Sequence, residues 1–165
     1  MELIITNKKG EKFTVLYDEC DHELINNHRW HINGDKYVQT SIRDDYGKFR
    51  MHKIHRVILG VSDKNLCVDH INRNTLDNRR SDLRICTYSQ NSMNRKPVGK
   101  SKYLGVSFAK KRKSNGKEYF YICANIRVSG KLKYLGSFKT EEDAALAYDE
   151  AAKLYNKEFA YLNFP

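Results

Sequence analysis

Asp69 and His70 stand side by side, and Asn91 lies twenty-two residues beyond the aspartate. Between them runs VDHINRNTLDNRRSDLRICTYSQN, from Val68 to Asn91, rich in Asn, Asp and Arg. An imidazole near its ordinary pKa can take a proton from water at neutral pH. Carboxylate and carboxamide oxygens suit a hard cation such as Mg²⁺ (or Mn²⁺), which takes few protein ligands and keeps several waters. Arg73, Arg79, Arg80 and Arg84 add forked donors that match a phosphate. A base, an oxygen-rich cation site and phosphate donors are what metal-assisted hydrolysis of a phosphodiester requires.

These groups need elements to position them. Asp69 and His70 read as neighbours on a strand, so their side chains leave opposite sides, and a bend at its end must aim both at one phosphate. Ser89 reads as an N-cap, which puts Asn91 in the first turn of a helix running to about Arg95, where amide donors favour an anion. Upstream, Leu3 to Thr6 and Phe13 to Tyr17 suggest a hairpin around Lys9-Gly10. Lys36 to Ile42 and Phe49 to Lys53 suggest a second pair around Asp45-Tyr46-Gly47, and Ile54 to Leu59 a short helix. Trp30 reads as a core anchor.

Proline and glycine at Pro97 and Gly99 interrupt the chain. Beyond them Tyr103 to Ala109 alternates, with Leu104, Val106 and Phe108 on one face. Ser114-Asn115-Gly116-Lys117 is a turn signal. A second strand follows, with Phe120, Ile122, Ala124 and Ile126 on one side and Tyr119, Tyr121, Cys123, Asn125 and Arg127 on the other. Ser129-Gly130 turns into a third strand, Lys131 to Phe138. Thr140 with Asp143 resembles a capping box opening a helix whose small Ala144, Ala147, Ala151 and Ala152 let it sit close on a sheet. The rest of that helix is acidic, so a polyanion must meet the sheet's other face.

Charge supports this. The net charge is +10, yet residues 97–140 alone carry eleven Lys/Arg against one Asp/Glu, while residues 141–165 carry two against six. Such a focus implies a polyanionic partner, double-stranded DNA above all, against the plainer reading of a solvated basic surface. A sheet can read the major groove. No apolar run reaches the ~20 residues of a membrane helix, the opening MELIITNKKGEKF lacks a secretory pattern, and no small-molecule substrate is implied. Cys20, Cys67, Cys86 and Cys123 show no CxxC pairing and read as buried hydrophobes in a reducing cytoplasm.

Residues 68–95 resemble the HNH (ββα-metal) nuclease motif of phage homing endonucleases, through Val68-Asp69-His70-Ile71-Asn72, Asp77-Asn78, Leu83-Arg84, Gln90-Asn91 and Asn94. The resemblance implies His70 as general base, Asp69 and Asn91 as ligands of one divalent metal, and 5′-phosphate products. The family's central, loop-tethering asparagine falls on Asp82, with Asn78 as a substitute. Residues 102–164 resemble the ethylene-response-factor (Apetala-type) DNA-binding domain, through Tyr103-Leu104-Gly105-Val106, Tyr134-Leu135-Gly136-Ser137-Phe138 and Ala144 to Ala152. That resemblance implies DNA contacts at Ser107, Ala109, Asn125, Arg127 and Tyr134, with Lys111 and Lys133 beside them.

The expected fold class is α+β: a small β-rich N-terminal region leads into a ββα-metal motif, then a three-stranded antiparallel sheet packs on one C-terminal helix. The expected division is a nuclease domain 1–96 (motif about 66–96), a linker 97–101 and a DNA-binding domain 102–165. The expected function is site-selective, homing-type DNA cleavage by a cytoplasmic enzyme, with a monomer favoured and a dimer possible. A DNA-binding regulator with an inactive nuclease motif is the alternative. A structural zinc site from Cys67, His70 and Cys86 is a third, and lacks a fourth ligand at usual spacing.

Overall fold

The structure, a computed structural model, describes residues 1–112 and 114–165; Lys113, the last cation of the predicted basic run, lies outside the described residues. Its packing divides into two units, Met1–Asn91 and Ser92–Pro165, ahead of the Pro97–Gly99 interruption. Ser101, placed by the sequence in a linker, is buried and donates to Glu141 Oε2 at 2.5 Å.

In the first unit, β1 (Glu2–Thr6) and β2 (Lys12–Leu16) form the expected antiparallel hairpin, with Ile5 opposite Phe13 and Leu3 opposite Val15. A short helix, α1 (His22–Asn26), follows. The buried Trp30 is fixed by its indole N–H, which donates to Ile25 O at 2.8 Å. Next come β3 (His31–Ile32), β4 (Val38–Arg43) and β5 (Phe49–Lys53), an antiparallel sheet in that order. The helix α2 (Ile54–Ile58) lends Ile54 and Ile58 to a core that also holds Val15, Ile25, Val38, Val68 and Leu83. The pair β6 (Leu66–His70) and β7 (Leu83–Thr87) is antiparallel, and α3 (Tyr88–Asn91) packs against both strands.

Two expectations change here. The helix α3 starts at Tyr88 and ends at Asn91, so Asn91 closes the helix instead of opening it. The true cap is Thr87: its N and Oγ1 donate to Gln90 Oε1 at 2.8 and 3.0 Å, and Gln90 N donates back to Thr87 Oγ1. Thr87-x-x-Gln90 is therefore the capping box, and Asn91 is the last residue of this single turn. Cys20 is also exposed, beside the buried Asp21, whereas Cys67, Cys86 and Cys123 are buried.

In the second unit, β8 (Val106–Arg112), β9 (Glu118–Val128) and β10 (Lys131–Phe138) form an antiparallel sheet in the order β10-β9-β8. The helix α4 (Glu141–Asn156) covers one face, burying Ala144, Ala145, Tyr148 and Ala152 against Val106, Ala124 and Ile126. Thr140 caps it, accepting from Asp143 N at 3.1 Å. The first strand opens later than its alternation predicts, because Gly105 takes φ +79° and a Cβ there would lie 1.8 Å from the Tyr148 ring. Asp149, read as part of the acidic surface, is buried and accepts from Asn163 N and Phe164 N, both at 2.9 Å. The architecture is α+β, as expected.

Candidate active site

The strand β6 ends on the two residues of interest, and their alternation sends them to opposite faces. Asp69 shares its face with Cys67 and pairs in register with Arg84 of β7. Its Oδ2 accepts from Arg84 Nη2 at 2.6 Å and Nε at 2.9 Å, and the carboxylate is almost wholly buried.

His70, on the other face, is also buried. Its Nε2 lies 3.2 Å from Asn78 Oδ1, and Asn78 Nδ2 is turned toward Thr75 O at 3.3 Å. That orientation makes Asn78 an acceptor, so Nε2 carries the proton and Nδ1 the lone pair. The ring packs edge-on to His55, with centroids 4.9 Å apart at 89°, and tilts against Tyr37 at 6.2 Å. Burial pushes the His70 pKa down, partly offset by the Asn78 hydrogen bond. The imidazole is thus held neutral at physiological pH, the form a base needs. His55 is pushed down further, to about 3, mainly by its burial, and its Nδ1 has no hydrogen-bond partner.

The loop between β6 and β7 is built by short contacts. Leu16 N donates to Leu76 O and Asn78 N to Leu16 O, both at 2.8 Å, so the N-terminal hairpin braces the residue that orients His70. Asp82 ties the other side: its carbonyl accepts from Ile71 N at 2.8 Å and its Oδ1 from Asn72 N at 2.9 Å. Both are acceptor roles, which an aspartate fills as well as an asparagine. Its Oδ2 is buried without a partner, and burial raises the carboxyl pKa.

The motif arginines differ from the open phosphate donors the sequence suggested. Arg79 grips Asp77 through Nε and Nη2 at 2.8 and 2.6 Å. Arg80 grips Asp21 at 3.0 and 2.7 Å and donates to Ile58 O, and Arg84 is committed to Asp69. Three carboxylates that composition alone leaves unplaced take these cations. Arg73 is half-buried in the turn after β6, with φ +61° and its N donating to His70 O.

A groove of about 880 Å³ opens beside β6. Its wall includes Asn91 at one point and Tyr37 and His55, the rings packed on His70, at others; Asp69 and His70 are not part of that wall. Among the described residues no three His, Cys, Asp or Glu side chains gather as a metal site. The oxygen pair Asp69 and Asn91 suits a hard cation by donor type, and β6 and α3 pack together, which brings the elements bearing them side by side. Cys67 and Cys86 face each other across β6 and β7, on the face opposite His70, so the three residues of the zinc reading do not converge.

In the second unit, the sheet face away from α4 brings together most of the predicted contact residues. Ser107, Ala109 and Lys111 pair with Cys123, Tyr121 and Tyr119, while Asn125 pairs with Tyr134 and Arg127 with Leu132. Asn125 Nδ2 donates to Ser107 Oγ at 3.2 Å, and Arg127 Nη1 to Gly130 O at 2.7 Å. Lys133 stands apart: it pairs with the buried Ile126, and its ammonium lies 4.6 Å over the Tyr155 ring, on the helix side. Register, one residue out of phase with Tyr134, decides that.

Residues 52–93 match the family model of an HNH endonuclease. The chain is similar to an uncharacterised HNH endonuclease of Acanthamoeba polyphaga mimivirus, 30% identical over 142 residues that cover 85% of this chain and 69% of the relative. No solved structure matches. The chain belongs to the HNH endonuclease family.

Proposed function

We propose that the protein cuts double-stranded DNA in the homing manner, with His70 as general base and one divalent cation, Mg²⁺ or Mn²⁺, held by Asp69 and Asn91. The observation that carries this reading is His70 itself: a buried imidazole whose Nε2 lies 3.2 Å from Asn78 Oδ1. It supports a ring held in one orientation, as a base requires. The bound cation would supply charge stabilisation at the phosphate and the leaving oxygen. Asn78 and Asp82 act by fixing the base and its loop. The geometry of Asp69 asks one thing more: Arg84 must yield its grip, or share it, when a cation binds.

In this proposal residues 1–96 cut and residues 102–165, ethylene-response-factor-like, select the site. The shared sheet face of Ser107, Ala109, Lys111, Asn125, Arg127 and Tyr134 supports it, with Lys111 and Arg127 as its cations. The phage homing-type assignment belongs to the same reading, as does action by a monomer in the cytoplasm. No helix among the described residues is long and apolar enough to cross a membrane. Arg127→Ala should weaken binding to a selected site by about 1–3 kcal/mol and relax sequence preference. The test of the cutting unit is incubation with supercoiled plasmid carrying the chain's own coding region, with Mg²⁺ and with EDTA. EDTA-sensitive nicking supports the enzyme; tight binding with no nicking in either arm indicates the regulator.

A further inference from the structure

Three of the four motif arginines, Arg79, Arg80 and Arg84, are spent on Asp77, Asp21 and Asp69. That leaves most of the phosphate contacts of a substrate to other cations of the first unit. The groove beside β6 has the charge for it. Its wall carries Arg50 and Lys53 from β5, Arg56 from α2 and Lys64 from the loop before β6, against one carboxylate, Asp44, among the described residues. Arg56 is tied to the carbonyls of Leu66 and Asp63, at 2.7 Å each, which hold the side chain in place without cancelling its charge. Arg50 shares an exposed pair with Asp44, a contact worth little in water.

Lys53 is the cation nearest the chemistry. Its ammonium stands 4.0 Å over the Tyr37 ring, and that ring touches both His55 and His70. Its charge is felt at both imidazoles. The same groove reaches Asn91. We propose that this groove seats the phosphodiester backbone of the DNA strand being cut, with Lys53 and Lys64 as phosphate-positioning residues. The four cations come from three successive elements and line a trough, whereas a pocket for a single anion gathers its donors at one point. A polynucleotide strand is therefore favoured over a mononucleotide or free phosphate. This rests on the DNA-cutting reading for the name of the substrate, but it can be tested apart from it.

The experiment measures binding of the full chain to a short fluorescent DNA duplex in EDTA across a KCl series, alongside plasmid nicking in Mg²⁺. Each phosphate contact contributes about 0.9 to the slope of log affinity against log salt. The variant Lys53→Gln/Lys64→Gln should flatten that slope by about two units and lower kcat/KM for nicking by about tenfold or more. Lys53→Arg should keep wild-type values, and so should Lys9→Gln/Lys12→Gln, at exposed positions outside the groove wall. If the double variant fails to fold, Lys64→Gln alone, at an exposed position, should flatten the slope by about one. A flattened slope with no nicking by the wild type upholds the groove and refutes the nuclease reading. Nicking by the wild type with an unchanged slope in the groove variants overturns the groove. So does a result in which dTMP or inorganic phosphate binding falls in the double variant while its duplex slope matches the wild type's.

Discussion

Removing Arg84 probes the site without relying on catalysis. In the folded chain Asp69 and Arg84 expose only 7% and 17% of their side chains, and two short hydrogen bonds join them. Taking away one partner of a buried pair leaves the other charge uncompensated, at a cost of about 3–5 kcal/mol. The residual exposure of Arg84 puts the expectation for Arg84→Met at the low end, about 3 kcal/mol. A cooperative unit of this size loses about 4–8 °C per kcal/mol, so Tm should fall by about 12 °C or more. Divalent cation should then rescue more in the variant than in the wild type, because the ion no longer competes with a guanidinium for Asp69, and ligand binding to the folded state raises its stability. Differential scanning calorimetry with and without Mg²⁺ reads both effects, and Asp69→Asn in the same background should erase the extra rescue. A variant that melts within about 2 °C of the wild type would show that the pair contributes little. A large loss with no added response to Mg²⁺ would remove Asp69 from the metal site.

Three further outcomes follow from the same contacts. Asn78→Ala deletes the acceptor that holds His70 Nε2, and plasmid nicking should drop by a sizeable part of the 10²–10⁴ that a general base typically contributes, about 10²-fold, with binding spared. His55 titrates near 3 when folded and about 6.5 when unfolded, so the unfolded chain binds the extra proton and stability falls as pH drops below about 6.5. By pH 5 that loss approaches about 2 kcal/mol, and His55→Phe should remove it in urea melts at pH 7 and pH 5. Gly105→Ala forces a methyl group into the Tyr148 ring at a positive φ, and should cost the second unit about 3 kcal/mol by circular dichroism melting.

What the chain reveals unaided depends on the range of the interaction. The hairpins, the helix over Ile54–Ile58 and the sheet-plus-helix of the second unit are written in local alternation, turn glycines and caps, and these emerged as expected, with the first strand of that sheet shifted three residues later. The placement of Asp69 and His70 on opposite faces of one strand was likewise a local inference. The pairing of Arg80 with Asp21 spans fifty-nine positions, and Arg84 meets Asp69 only once β7 is in register with β6. Composition shows those arginines as surplus charge; only the fold shows them as structural. Thr87 and Gln90 carry a local signal, a capping box, that the reading of Ser89 as N-cap passes over. The groove cations had none, being drawn from separate elements of unremarkable composition. Lys133 differs in kind, because a single step in register decides which face it occupies.

The central claim is that His70 takes the proton from the attacking water in a metal-assisted cut. Supercoiled plasmid containing a cleavable site, treated with wild type, His70→Ala and wild type plus EDTA, tests it most directly. The expected result is nicking by the wild type, a loss of about 10²-fold or more in His70→Ala with DNA binding retained, and none in EDTA. Nicking by His70→Ala at the wild-type rate, or undiminished cutting in EDTA, would contradict the account.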